Sequence, residues 1–253
     1  MNRLSERGVT MSVNVWANGP GTPGYVCEDA RLTNRSVRPW FWQDRAVATV
    51  DEDYGQAGWD IGLNYGGLSD LATRLASLSR PAWAAGAGRT IGRGEVRRLA
   101  IHAHGNAGTL HVNGQGGPSL TAATVPAMHA DLNRIGLMTP DDSTDPAVIL
   151  LVGCVAGQGR DGTALLVALS RVWPNRKVVG FATLGFVAGG EMLRRGESCT
   201  EPGMRDTNAL YAGEADANAG RYWHNRTDWP WASENSPRAK VALNGAITVG
   251  AHW

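Results

Sequence analysis

A cysteine attacks a carbonyl only as its thiolate, and a free thiol is mostly protonated at pH 7, so a reactive cysteine needs a base or a cation beside it. Three cysteines are available: Cys27, Cys154 and Cys199. Cys27 and Cys199 stand in loop-like surroundings and read as inert. Cys154 differs, because it follows the continuous apolar run Ala147-Val-Ile-Leu-Leu-Val152 and a single glycine, Gly153. A second apolar run also ends in a reactive group, Leu99-Ala-Ile-His102-Ala-His104-Gly105. His104 can serve as the base. Gly105 carries no side chain and lets the backbone come close to a substrate, so its N–H and that of Cys154 could hold a developing oxyanion.

Such chemistry works only if both runs are neighbouring strands with the same direction. Ala147–Val152 is too short for most helices and reads as a strand buried on both faces. Val96–His104 reads as another, and Val178–Ala182 as a third. Short strands are expected at Ser12–Trp16, at Ala46–Val50, and at Thr109–Asn113 with Asn113-Gly114 as its turn. Between them, Leu68, Leu71, Leu75 and Leu78 follow a helical period up to Arg80-Pro81. Met128, Leu132 and Ile135 do so up to Gly136, and Leu165, Leu166, Leu169 and Val172 up to Pro174. Strands alternating with helices predict an α/β fold, a mainly parallel β-sheet flanked by helices on both faces. In such sheets the functional residues lie beyond the carboxyl ends of the strands. The first forty-five residues are loop-rich, and Val241-Ala-Leu-Asn-Gly-Ala-Ile-Thr-Val249 carries a hairpin signal as a C-terminal extension.

Length and composition set the outer limits. The 253 residues carry a net charge of +1, which gives no reason to expect nucleic acid or an anionic membrane as a partner. Lys177 and Lys240 are the only lysines in the chain. No apolar stretch reaches the roughly 18 residues that span a bilayer. Met1-Asn-Arg-Leu-Ser-Glu-Arg7 lacks the apolar core of a signal peptide, so a cytoplasmic location is expected, with delivery by a signal-independent secretion system left open. The chain reads as a single domain over 1–253, with its core at about 46–190 and a C-terminal subdomain over 203–253 left open.

The pairing of His-Gly after one hydrophobic strand with Cys after the next resembles the caspase-like (clan CD) cysteine peptidases, bacterial members especially. Fifty residues separate His104 from Cys154, near the caspase spacing. The resemblance runs from about Val96 to Phe186. It is carried by His104-Gly-Asn-Ala-Gly-Thr-Leu-His-Val-Asn-Gly114 and by Leu151-Val-Gly-Cys154-Val-Ala-Gly157. It implies a caspase-like domain in which Cys154 is the nucleophile and His104 the general acid and base. Gly105 and Cys154 supply the oxyanion hole, a protein or peptide is the substrate, and neither a metal nor an organic cofactor takes part. Bacterial enzymes of this kind act in regulated proteolysis or as effectors. If Ala46–Val50 is the first strand of that fold, Asp51 and Asp53 at its end could favour arginine or lysine at P1. A solvated acidic turn explains them equally well. The caspase pentapeptide Gln-Ala-Cys-x-Gly is not matched around Cys154, and no counterpart of the aspartate-selecting arginines is found.

Four other readings compete. A caspase-like scaffold with an unreactive Cys154 would bind a partner without catalysis. Gly157-Gln-Gly159-Arg-Asp-Gly162 has the form of a dinucleotide fingerprint, yet it starts five residues beyond the strand and lacks an acid at the end of the next one. His102 and His104 could form a metal pair, but His111, His129, His224 and His252 show no ligand spacing. His102 fits a buried strand histidine or a partner of His104. Trp40-Phe-Trp42 and Trp229-Pro-Trp231 could line a cleft or anchor loops, and no basic stripe joins them for nucleic-acid stacking.

Overall fold

The computed structural model describes residues 13–19, 45–46, 61–79, 88–114, 116–153, 155–182, 234–235 and 239–252. They form an α/β domain on one mainly parallel sheet. The strands are β1 (Val13–Asn18), β2 (Arg45–Ala46), β3 (Ile61–Asn64), β4 (Val96–His102), β7 (Ala147–Val152), β8 (Arg176–Phe181), β9 (Ala239–Leu243) and β10 (Ala246–Val249). Their order is β10-β9-β8-β7-β4-β1-β3-β2. β3, β1, β4, β7 and β8 run parallel, while β9, β10 and β2 join antiparallel at the two edges. β5 (Gly105–Asn106) and β6 (Thr109–Leu110) make a small separate hairpin.

Three helices connect the parallel strands: α1 (Leu68–Ser77) between β3 and β4, α2 (His129–Gly136) between β4 and β7, and α3 (Gly159–Val172) between β7 and β8. Each connection steps across the sheet in the same direction, and right-handed crossovers of that kind put all three helices on one face. Accordingly α1 touches α2 and α2 touches α3. Leu71 and Leu75 of α1, Leu132 and Ile135 of α2, and Leu165 and Leu169 of α3 are buried with Leu99, Ile101, Ile149, Leu151 and Val178 of the strands. The opposite face, with Leu150, Val152, Val179, Phe181 and Val241, is buried as well. A strand shielded on both sides has no use for alternation, and all six residues of β7 are buried. The described helices therefore share one face, where helices on both were expected.

Several elements depart from the sequence reading. β3 was not anticipated, because Ile61-Gly-Leu63-Asn offers only two apolar residues. The strand expected over Thr109–Asn113 ends at Leu110, since the chain turns there to pair Leu110 with Leu120. Asn113 instead accepts the Leu68 N–H through Oδ1 at 2.9 Å, capping α1 where its own N-cap residue, Gly67, has no side chain. Arg45–Ala46 pairs with β3, and the rest of the expected strand over 46–50 lies outside the described residues. The C-terminal hairpin forms, with Asn244 at a φ of 50° in its turn, and β9 joins the main sheet beside β8.

Candidate active site at the carboxyl ends of β4 and β7

The path of the chain marks where a ligand would bind. β1 and β4 are neighbours, but the chain leaves β1 towards the β2 edge and leaves β4 towards β7. Divergent connections of this kind open a crevice beyond the carboxyl ends of the two strands. Tyr65 and Gly19, which follow β3 and β1, meet the end of β4 there. The His102 carbonyl accepts the Gly19 N–H at 2.8 Å and the Tyr65 hydroxyl at 3.2 Å. A Cβ on Gly19 would lie 2.5 Å from that hydroxyl, so a side chain does not fit. Burial pushes the Tyr65 hydroxyl up from its ordinary pKa, which keeps it protonated as a donor.

His102 and His104 have opposite environments. His102 is buried, and desolvation, with the nearby charge of His104 in second place, pushes it down to about 3. It is a neutral imidazole at physiological pH. His104 lies two residues on, exposed, between β4 and β5. The hairpin after it folds back at once: the His111 N–H donates to the His104 carbonyl at 2.8 Å. Gly105 pairs with Leu110, but the N–H and carbonyl of Leu110 bond Leu120 at 3.0 and 2.9 Å. Antiparallel residues alternate between bonded and non-bonded pairs, so the Gly105 N–H points away from β6. That N–H is therefore not taken up by the hairpin's own ladder.

Cys154 lies outside the described residues, as do Asp51, Asp53, Cys27, Cys199, His224 and the Trp40–Trp42 and Trp229–Trp231 aromatics. Its two flanks are described, and both touch the His104 hairpin. Upstream, the Ala103 N–H donates to the Val152 carbonyl at 3.1 Å. A Cβ on Gly153 would come within 3.0 Å of the Ala103 carbonyl and 3.4 Å of the Gly105 Cα. Downstream, the Gly108 N–H at the hairpin tip donates to the Ala156 carbonyl at 3.2 Å. Val155 adopts a φ of 48°, which a β-branched side chain reaches only at a cost of about 1–2 kcal/mol. Strain of this kind persists where the surroundings over-determine a turn.

The glycines of Gly157–Gly162 have a packing role. A Cβ on Gly157 would lie 2.7 Å from the Gly180 backbone of β8, and one on Gly162 would lie 2.2 Å from Gly157. They let α3 start directly against the sheet, and the first turn accepts Lys240 Nζ at the Gly159 carbonyl (3.1 Å) and at Thr163 Oγ1 (2.9 Å). Lys240, one of the two lysines of the chain, is buried against α3. No signal in the sequence exposes that contact or the Tyr65 bond to His102, because both depend on long-range pairing. Among the described residues, no three His, Cys, Asp or Glu side chains gather as a metal ion would need. No described helix is long and apolar enough to cross a membrane. No family model, curated protein or solved structure matches the chain.

Proposed function

We propose that the protein is a cysteine endopeptidase with a caspase-like fold, acting on a protein or peptide substrate through a His104–Cys154 dyad. The observation that carries this reading is the contact of the His104–Gly105 hairpin with both flanks of Cys154, at Gly153 and at Ala156, beyond two adjacent parallel strands. His104 takes the thiol proton, and the Cys154 sulfur attacks the scissile carbonyl. As the C–S bond forms, the carbonyl π pair moves onto oxygen, and the N–H groups of Gly105 and Cys154 receive that charge. Collapse breaks the C–N bond while His104 returns the proton to the leaving amine. Water then attacks the thioester with His104 as base, releasing the acid and restoring the thiol. No metal or organic cofactor enters this sequence. A cytoplasmic setting and a P1 preference for arginine or lysine, set by Asp51 and Asp53, rest on the sequence reading.

Iodoacetamide labelling at about pH 6, mapped by mass spectrometry, tests the dyad, because a thiol with a pKa near 8.5 barely reacts there. Rapid labelling at Cys154 in the wild type, lost in His104→Ala, is the expected result. Slow labelling in both proteins would replace the peptidase with a binding scaffold.

A further inference from the structure

We infer that His111 is a positioning residue for the Gly105 N–H, an assignment that rests on the peptidase reading above. His111 follows β6 and is tied to the hairpin at two points and to Ser119 at a third. Its backbone N–H donates to the His104 carbonyl at 2.8 Å. Its Nδ1 lies 2.8 Å from Ser119 Oγ, and its Nε2 lies 3.3 Å from Asn106 Nδ2. A neutral imidazole has one donor and one acceptor nitrogen. Donation from Nδ1–H to Ser119 leaves Nε2 to accept from the Asn106 amide, so both ring nitrogens are engaged in one tautomer.

The ring links the residue beside Gly105 to a segment that is fixed from elsewhere. Leu110 and Leu120 exchange two backbone bonds, the Ser119 carbonyl accepts Thr124 Oγ1 at 2.7 Å, and Asn113 Nδ2 donates to the Pro118 carbonyl at 2.7 Å. Asn106 itself is exposed, at a two-residue strand whose hairpin is too short to hold a fixed position alone. The chain Ser119–His111–Asn106 therefore holds the first strand of the hairpin, and with it the direction of the Gly105 N–H. His111 touches no reacting atom in this role. It acts through Gly105, and a displacement of about 1 Å at such a donor costs on the order of a hundredfold in rate.

Two reagents separate this role from that of the dyad. Alkylation by iodoacetamide needs the thiolate and no oxyanion donor. Acylation by p-nitrophenyl acetate needs both: the sulfur bonds the ester carbon, charge develops on the carbonyl oxygen, and p-nitrophenolate departs with the C–O bond before water cleaves the thioester. In His111→Ala, alkylation at about pH 6 should stay within about twofold of wild type while the acylation burst slows about a hundredfold. His111→Gln, whose amide keeps a donor and an acceptor, should recover most of that loss. Ser119→Ala, which removes only the outer link, should slow the burst about tenfold and raises no folding concern should His111→Ala unfold. Hydrogen exchange over 104–112 should quicken in both alanine variants and stay unchanged over 147–152. Parallel loss of alkylation and acylation, or a burst at the wild-type rate in His111→Ala and Ser119→Ala, would overturn the assignment. A wild type without His104-dependent labelling removes the dyad and this inference together, whereas normal labelling with an unaffected burst removes this inference alone.

Discussion

β4 and β7 end side by side, yet the turns that follow them are secured in different ways. At and beyond the end of β4, hydrogen bonds hold the backbone: those of the Tyr65 hydroxyl and the Gly19 N–H to the His102 carbonyl, and those of His111 to Asn106 and Ser119. Beyond β7, glycines press directly on other backbone: Gly153 on Ala103 and Gly105, Gly157 on Gly180, Gly162 on Gly157. A hydrogen-bonded turn can lose one partner and keep the rest. A turn made of glycine contacts has less reserve, because a Cβ at Gly157 or Gly162 meets backbone that cannot swing aside. Val155, with its positive φ, sits in the second kind of turn.

The sharpest way to break this contrast is Gly162→Ala. Its Cβ would lie 2.2 Å from the Gly157 carbonyl carbon, and urea denaturation should show a loss of about 3 kcal/mol. Gly153→Ala meets a movable group first, Leu110 Cδ1 at 2.4 Å, and should cost only about 1–2 kcal/mol. Equal losses at the two sites would show that the kind of atom met does not matter.

The β4 side should answer to pH instead. With the folded pKa of His102 pushed down to about 3 from 6.5, the unfolded chain binds the extra proton between those values, so stability falls as pH drops below 6.5. Between pH 6.5 and 5 the loss should be on the order of 2 kcal/mol, and the slope should be absent in His102→Gln. A His102→Gln variant with the wild-type slope would place the titration elsewhere.

The smallest expected effect sharpens the β7 side. Val155→Gly relieves the positive φ and should raise stability by up to about 1 kcal/mol, while labelling of Cys154 slows as the turn loosens. Faster labelling together with higher stability would mean that the strain serves no purpose at the site.

This difference in construction also decides what the sequence could reveal. Ala147–Val152 is legible as a buried strand because every residue is apolar, and the helical period of Leu165, Leu166 and Leu169 marks α3. His104-Gly105 and Gly153 are legible as strand-end residues for the same reason. β3 and β5 are not, since four and two residues give too little pattern. Nor does Asn113 announce that it caps a helix 45 residues earlier, because that depends on how the chain after β6 folds back. The same holds for Tyr65 on His102, at a separation of 37 residues. Local pattern tells which segments are strands and helices, while the bonds that aim the site join segments far apart in the chain.

Lys240 gives the molecule a use of its own. The chain has two lysines: Lys177, with a side chain 36% exposed and 3.8 Å from Glu234, and Lys240, sealed between β9 and the first turn of α3. An amine-acylating reagent meets the first at once and reaches the second only when the sheet edge parts from the helix. The ratio of the two modified peptides over time is therefore a built-in clock for the opening of that edge, read from the wild-type chain with no engineered label.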